Sequence, residues 1–125
     1  MIAGVGLDVC DIARMERLLQ DGRFLSRFFS AEEQSYVSAK GVSSAQTAAG
    51  IYAAKEALTK ALGRGIVSGQ LADICVLHDE YGAPYYELRG TYAALAAQRG
   101  VRRVHLSISH DGGVAAAVAI AEGED

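Results

Sequence analysis

Residues 2–9 (IAGVGLDV) alternate apolar and small residues in the manner of a β-strand, and Asp11 then stands where an N-cap opens a helix reaching about Gln20. Ser30-Ala31-Glu32-Glu33 fits a capping box, with the serine accepting from a first-turn amide and Glu33 reaching back, which predicts a helix over roughly 31–39. Ser43-Ser44 open a longer, alanine-rich helix over roughly 44–62, with Gly63 as its stop. Beyond it, ADICVLHDEYGAPYYELRG reads as two strands joined by a glycine-containing turn, and RGTYAALAAQRG reads as a helix. VRRVHLSIS and VAAAVAIA then read as two strands around HDGG. The predicted order is β-α-α-α-β-β-α-β-β. Consecutive hairpins favour an antiparallel sheet packed against a long helix, so the expected class is α+β.

Composition narrows this little. Of 125 residues 50% are apolar, enough for a core without staples, and with one proline and no repeat the chain reads as a single domain over 1–125. Cys10 and Cys75 lie in apolar runs, which suits buried thiols in a reducing, cytosolic compartment. No signal-like or membrane-spanning segment stands out, so the expectation is a soluble, unprocessed cytoplasmic protein without membrane contact. A net charge of −3 offers no global attraction to nucleic acid. Arginines 14, 17, 23 and 27 nonetheless make the early chain basic, while Glu122, Glu124 and Asp125 make its end acidic.

Three groups of residues carry candidate chemistry, and each has a plain structural explanation when taken alone. Strand alternation puts Gly4, Gly6 and Asp8 on one face and Ala3, Val5, Leu7 and Val9 on the other. The glycines could simply admit a close-packed helix, with Asp8 capping a nearby amide. On the long helix Tyr52, Glu56 and Lys60 share one stripe, opposite an apolar side of Ile51, Leu58, Ala61 and Leu62. Glu56 and Lys60 could be an ordinary i, i+4 ion pair, and Lys55 a surface charge or a group that reaches an anion. In Ser107-Ile108-Ser109-His110-Asp111 both serines fall on one strand face, and the histidine begins a turn at Gly112-Gly113. Taken together, two carboxylates from separate elements with lysine, histidine and serine suit a divalent cation and a phosphorylated ligand.

The segments GVGLDVCDIAR at 4–14, YAAKEALTKALGRG at 52–65 and SISHD at 107–111 resemble, in order, the three signature segments of the holo-acyl carrier protein synthase family. HDEYGAPYYEL is similar to that family's turn between strands, so the resemblance spans nearly the whole chain. Tyr52 stands where the family more often has phenylalanine, and His78 and Ala83 where it commonly has asparagine and lysine. The resemblance implies a phosphopantetheinyl transferase fold assembling as a homotrimer, with coenzyme A between subunits. By carry-over, Asp8 and Glu56 are the magnesium ligands and, with Lys60, the catalytic set. Lys60 lies beside the pyrophosphate, Ser109 and His110 of the adjacent subunit approach the nucleotide phosphates, and Arg14 and Arg17 face the acyl carrier protein.

The reaction so implied is in-line attack of a carrier-protein serine on the β-phosphate of coenzyme A, giving holo-carrier protein and 3',5'-ADP for fatty acid biosynthesis. A metal-bound water, a carboxylate or a neutral Lys60 could take the serine proton. Two alternatives remain. One is the same transfer to carrier domains of polyketide or peptide synthases. The other is a silent coenzyme A-binding subunit, which would be expected to have lost a metal carboxylate.

Overall fold

The structure, a computed structural model, describes residues 1–63 and 70–124. It contains β1 (Ile2–Asp11), α1 (Ile12–Leu19), α2 (Gly22–Phe28), α3 (Ala31–Ser38), α4 (Ser44–Ala61), β2 (Ile74–His78), β3 (Pro84–Leu88), α5 (Gly90–Gln98), β4 (Val101–Asp111) and β5 (Val114–Gly123). The α+β class stands, with two antiparallel sheets, β1-β5-β4 and β2-β3. The expected order lacked α2. Its seven residues sit behind Asp21-Gly22, which reads as a turn, and two helical turns show too little periodicity to stand out.

Local signals set most boundaries. Asp11 ends β1 and also caps α1, its carboxylate accepting from Arg14 N at 2.9 Å. The Ser30 capping box forms as expected, and Leu62 caps α4 with Gly63 following. The strand through His110 extends further than expected, because β4 pairs with β5 up to Asp111–Val114. Only Gly112 and Gly113 form the hairpin turn, at φ +58° and +82°, the signs that a two-residue type I′ turn needs.

The long helix α4 lies across β1 and β5, and this contact is made of small residues. Ala115, Ala117, Ala119 and Ala121 of β5 are buried, as are Ala53, Ala54 and Ala57 of α4. A Cβ on Gly4 would fall 1.9 Å from the Ala61 carbonyl oxygen, and one on Gly6 would fall 1.8 Å from that of Ala57. The glycines therefore do admit a close-packed helix. They also bring the backbone that carries Asp8 against the backbone that carries Glu56.

The other side of α4 is buried too, and this changes the place of Lys55. It is wholly buried rather than at the surface, with Nζ 2.6 Å from Glu33 Oε1 and donating to the carbonyls of Leu71 (2.9 Å) and Ile74 (2.7 Å). Three acceptors match the three donors of an ammonium. Burial pulls Lys55 below its usual range, and the Glu33 carboxylate pulls it back. Glu33 meanwhile accepts from Ser30 N and Val76 N, so the anion Lys55 reaches is the capping-box glutamate.

Candidate active site

Asp8 leaves β1 on the face that the glycines clear, its side chain 14% exposed. Glu56 leaves α4 toward the same place and is half-buried. Burial first, and then the charge of Asp8, holds the Glu56 carboxyl above the usual carboxylate range. Hydrogen bonding with Tyr52 and the charges of Lys60 and Arg14 oppose that rise. Lys60, one turn further along α4, does not simply close an ion pair along its own helix: its Nζ donates to Asp8 Oδ1 and to the Leu7 carbonyl, each at 3.0 Å. Asp8 thus takes the lysine rather than a backbone amide.

Tyr52 completes the stripe. It is half-buried, and burial followed by the Glu56 charge pushes its phenol up to about 12. Arg14, exposed in the first turn of α1, places positive charge on Glu56, Tyr52 and Cys10 alike. Asp8, Glu56, Lys60, Tyr52 and Arg14 therefore form one electrostatic unit drawn from three elements.

The donor set suits a hard cation. Asp8 and Glu56 offer only carboxylate oxygens, and among the described residues no group of three or more His, Cys, Asp or Glu gathers to hold a metal. Two carboxylates are what magnesium commonly takes from a protein, with water and phosphate oxygens completing its shell. Burial is the larger cause of the raised Glu56, and the repulsion from Asp8 that adds to it is what a bound cation would relieve.

The family model described as the 4'-phosphopantetheinyl transferase superfamily matches residues 4–119. The chain belongs to that superfamily. It is 43% identical over 123 residues to the holo-[acyl-carrier-protein] synthase of Treponema denticola, covering 98% of this chain and 100% of that one. It is also 43% identical to the Clavibacter michiganensis synthase over 126 residues, covering 99% and 98%. Among solved structures, the Neisseria meningitidis holo-[acyl-carrier-protein] synthase superposes with a TM-score of 0.89 at 31% identity, covering 98% of this chain and 99% of that one. The Helicobacter pylori synthase, solved in complex with coenzyme A, gives 0.82 at 31% identity, covering 94% and 99%.

Not every expected residue of this phosphopantetheinyl transferase lies at the carboxylates. Ser109 shares a rung with Ala116 and Val9 on the outer face of the sheet, whereas Asp8 pairs with Ala117 on the inner, α4-facing side. His110 is exposed, 3.1 Å from Gln46 Nε2 near the start of α4, and Gln46 precedes Glu56 by about 15 Å of helix. Within one chain, then, neither Ser109 nor His110 joins Asp8 and Glu56. Arg64 and Gly65, the end of the second motif, lie outside the described residues.

Arg17 rims a groove between α1 and α2 of about 620 Å³, floored by Leu18, Phe24 and Phe28 and also edged by Arg23 and Arg27. Sequence reading missed this groove because it missed α2, although Phe24 and Phe28 at i, i+4 were a signal for it. His78, at a position that departs from the family, stacks its ring on Tyr36 with centroids 4.0 Å apart. Cys10 and Cys75 are buried free thiols, as their apolar surroundings suggested.

Proposed function

We propose that this chain transfers 4'-phosphopantetheine from coenzyme A to a serine of apo-acyl carrier protein, releasing 3',5'-ADP, in fatty acid biosynthesis. The observation that carries the reading is the convergence of Asp8, Glu56 and Lys60 at the Gly4/Gly6 contact, in a chain of this superfamily. A magnesium ion held by Asp8 and Glu56 would neutralise charge on the pyrophosphate. Lys60, 52% exposed, is free to turn from Asp8 toward a phosphate and to stabilise the charge that builds on the leaving group. Retention of both carboxylates weighs against a silent coenzyme A-binding subunit.

The proposed assembly is a homotrimer with the ligand between subunits. Supporting it, Val5, Leu7 and Val9 are 58%, 61% and 62% exposed on the outer sheet face, an apolar strip that a second copy would cover. Ser109 lies on that same face while Asp8 and Glu56 stand on the inner side, so a ligand would have to pass around β1, an edge strand of the sheet, to meet the carboxylates of one copy and Ser109 of another. The proposed site of action is the cytoplasm. Among the described residues no helix is long and apolar enough to cross a membrane.

Lys60→Ala is expected to lower kcat far more than it weakens coenzyme A binding, because its cation acts as charge develops. His110→Ala is expected to do the reverse. Measuring kcat and the coenzyme A dissociation constant for both decides the division of roles, and matching profiles contradict it.

Arg14 and Arg17 are proposed to meet the carrier protein, with Arg14 nearer the carboxylates. Rim charges act mainly through association rate and are screened by salt. Arg14→Glu should therefore slow carrier association strongly at low salt, leave coenzyme A binding nearly intact, and approach wild type as salt is added. Stopped-flow association at two ionic strengths tests this, and an unchanged rate at low salt removes Arg14 from the contact. Running the same measurement on carrier domains of polyketide or peptide synthases ranks the possible partners.

A further inference from the structure

The end of β4 meets the start of α4 along one line of residues. Ile108 and His110 share a face of β4, since Ile108 pairs with Ala117 and His110 with Ala115, both buried on the α4-facing side. Gln46 and Gly50, four apart, share a face of α4. A Cβ on Gly50 would fall 2.8 Å from Ile108 Cγ2, so this glycine lets strand and helix close up. One turn back along the helix and two residues on along the strand, Gln46 Nε2 stands 3.1 Å from His110 Nε2. The backbone beneath the histidine is held as well: the Gly113 carbonyl accepts from Ile12 N at 2.9 Å, which ties the hairpin turn to the first residue of α1.

The chemistry of the two nitrogens decides where the ring proton goes. An amide NH₂ only donates, so His110 Nε2 must accept from Gln46. In the neutral ring the proton then sits on Nδ1, because the hydrogen bond at one nitrogen sets the role of the other. A phosphate oxygen is an acceptor, and Nδ1–H is the donor this tautomer has left to offer it.

We propose that Gln46 is a positioning residue for coenzyme A binding: its amide holds His110 Nε2, sets the direction of the ring and keeps the proton on Nδ1, where it meets a nucleotide phosphate. The proposal rests on the reading of His110 as a contact to those phosphates. Gln46 acts through the ring and not on the ligand, so removing it should cost affinity only while His110 is present. A hydrogen bond to a charged group is commonly worth about tenfold or more in affinity, and a ring left free to turn keeps part of that.

The test is coenzyme A binding by titration calorimetry on the full chain, for wild type, Gln46→Met, His110→Ala and the double variant, with long-range ¹H–¹⁵N correlation spectra of the histidine rings. His110 is identified by the signals that His110→Ala lacks. The expected result is an Nδ1–H ring in wild type, a shift toward Nε2–H in Gln46→Met, and a coenzyme A dissociation constant raised about fivefold in that variant. In the His110→Ala background Gln46→Met should add nothing. Unchanged tautomer and affinity in Gln46→Met, beside weakened binding in His110→Ala, overturns the proposal and leaves the reading of His110 standing. An equal loss from Gln46→Met with and without His110 also overturns it, because Gln46 would then touch the ligand itself. If His110→Ala binds coenzyme A like wild type, the reading of His110 fails and the proposal falls with it.

Discussion

Gly6→Ala is expected to cost the protein both stability and activity, through a single contact. The added Cβ would lie 1.8 Å from the Ala57 carbonyl oxygen and 2.8 Å from Ala61 N, both backbone atoms of α4. A flexible side chain could swing aside, but a helix backbone must move as a body. Overpacking commonly costs about 1–3 kcal/mol, and displacement of backbone places this variant at about 3 kcal/mol or more. The same displacement carries Glu56, the residue before Ala57, away from Asp8, and a misplacement of about 1 Å at a catalytic centre can lower the rate about a hundredfold. Urea unfolding and transfer rate should therefore fall together. A variant with wild-type turnover would show that the close approach of β1 and α4 does not set the site.

The second large effect is chemical rather than structural. Asp8→Ala and Glu56→Ala should each lower transfer by at least about a thousandfold, roughly 4 kcal/mol of transition-state stabilisation, because each removes one of the two carboxylates proposed to hold the cation. Folding should survive in both. The Asp8–Lys60 pair is half-exposed on its lysine side, so its loss matters little to stability. In Glu56→Ala a half-buried carboxylate, raised by desolvation and by Asp8, is simply removed. Circular dichroism and turnover at saturating magnesium test the pair, and full magnesium-dependent turnover in either variant would remove that residue from the site.

The sequence exposed the carboxylate stripe because its geometry is local. Glycine spacing on β1 and the i, i+4 placement of Tyr52, Glu56 and Lys60 need no tertiary knowledge, and the caps at Asp11 and Ser30 are likewise contained in a few residues. What it hid depends on packing between distant segments. Lys55 stands beside Glu56 in sequence, yet α3 and the start of β2 cover its side of the helix and make it an interior cation. Lys60 chose Asp8 across the β1–α4 contact, which helical spacing could not reveal. Alternation placed Ser107 and Ser109 on one face correctly, but only the pairing through β5 shows that this face is opposite to Asp8. The short α2 escaped because two turns between two caps leave almost no pattern, and with it went the aromatic floor beneath Tyr52.

The most direct test of the account is intact-mass spectrometry of apo-acyl carrier protein after incubation with the purified protein, coenzyme A and magnesium. A carrier heavier by one 4'-phosphopantetheine on its serine is expected, with 3',5'-ADP released in equal amount and neither product formed by Glu56→Ala. A carrier of unchanged mass across fatty-acid, polyketide and peptide carrier proteins, from a folded protein that still binds coenzyme A, would contradict it.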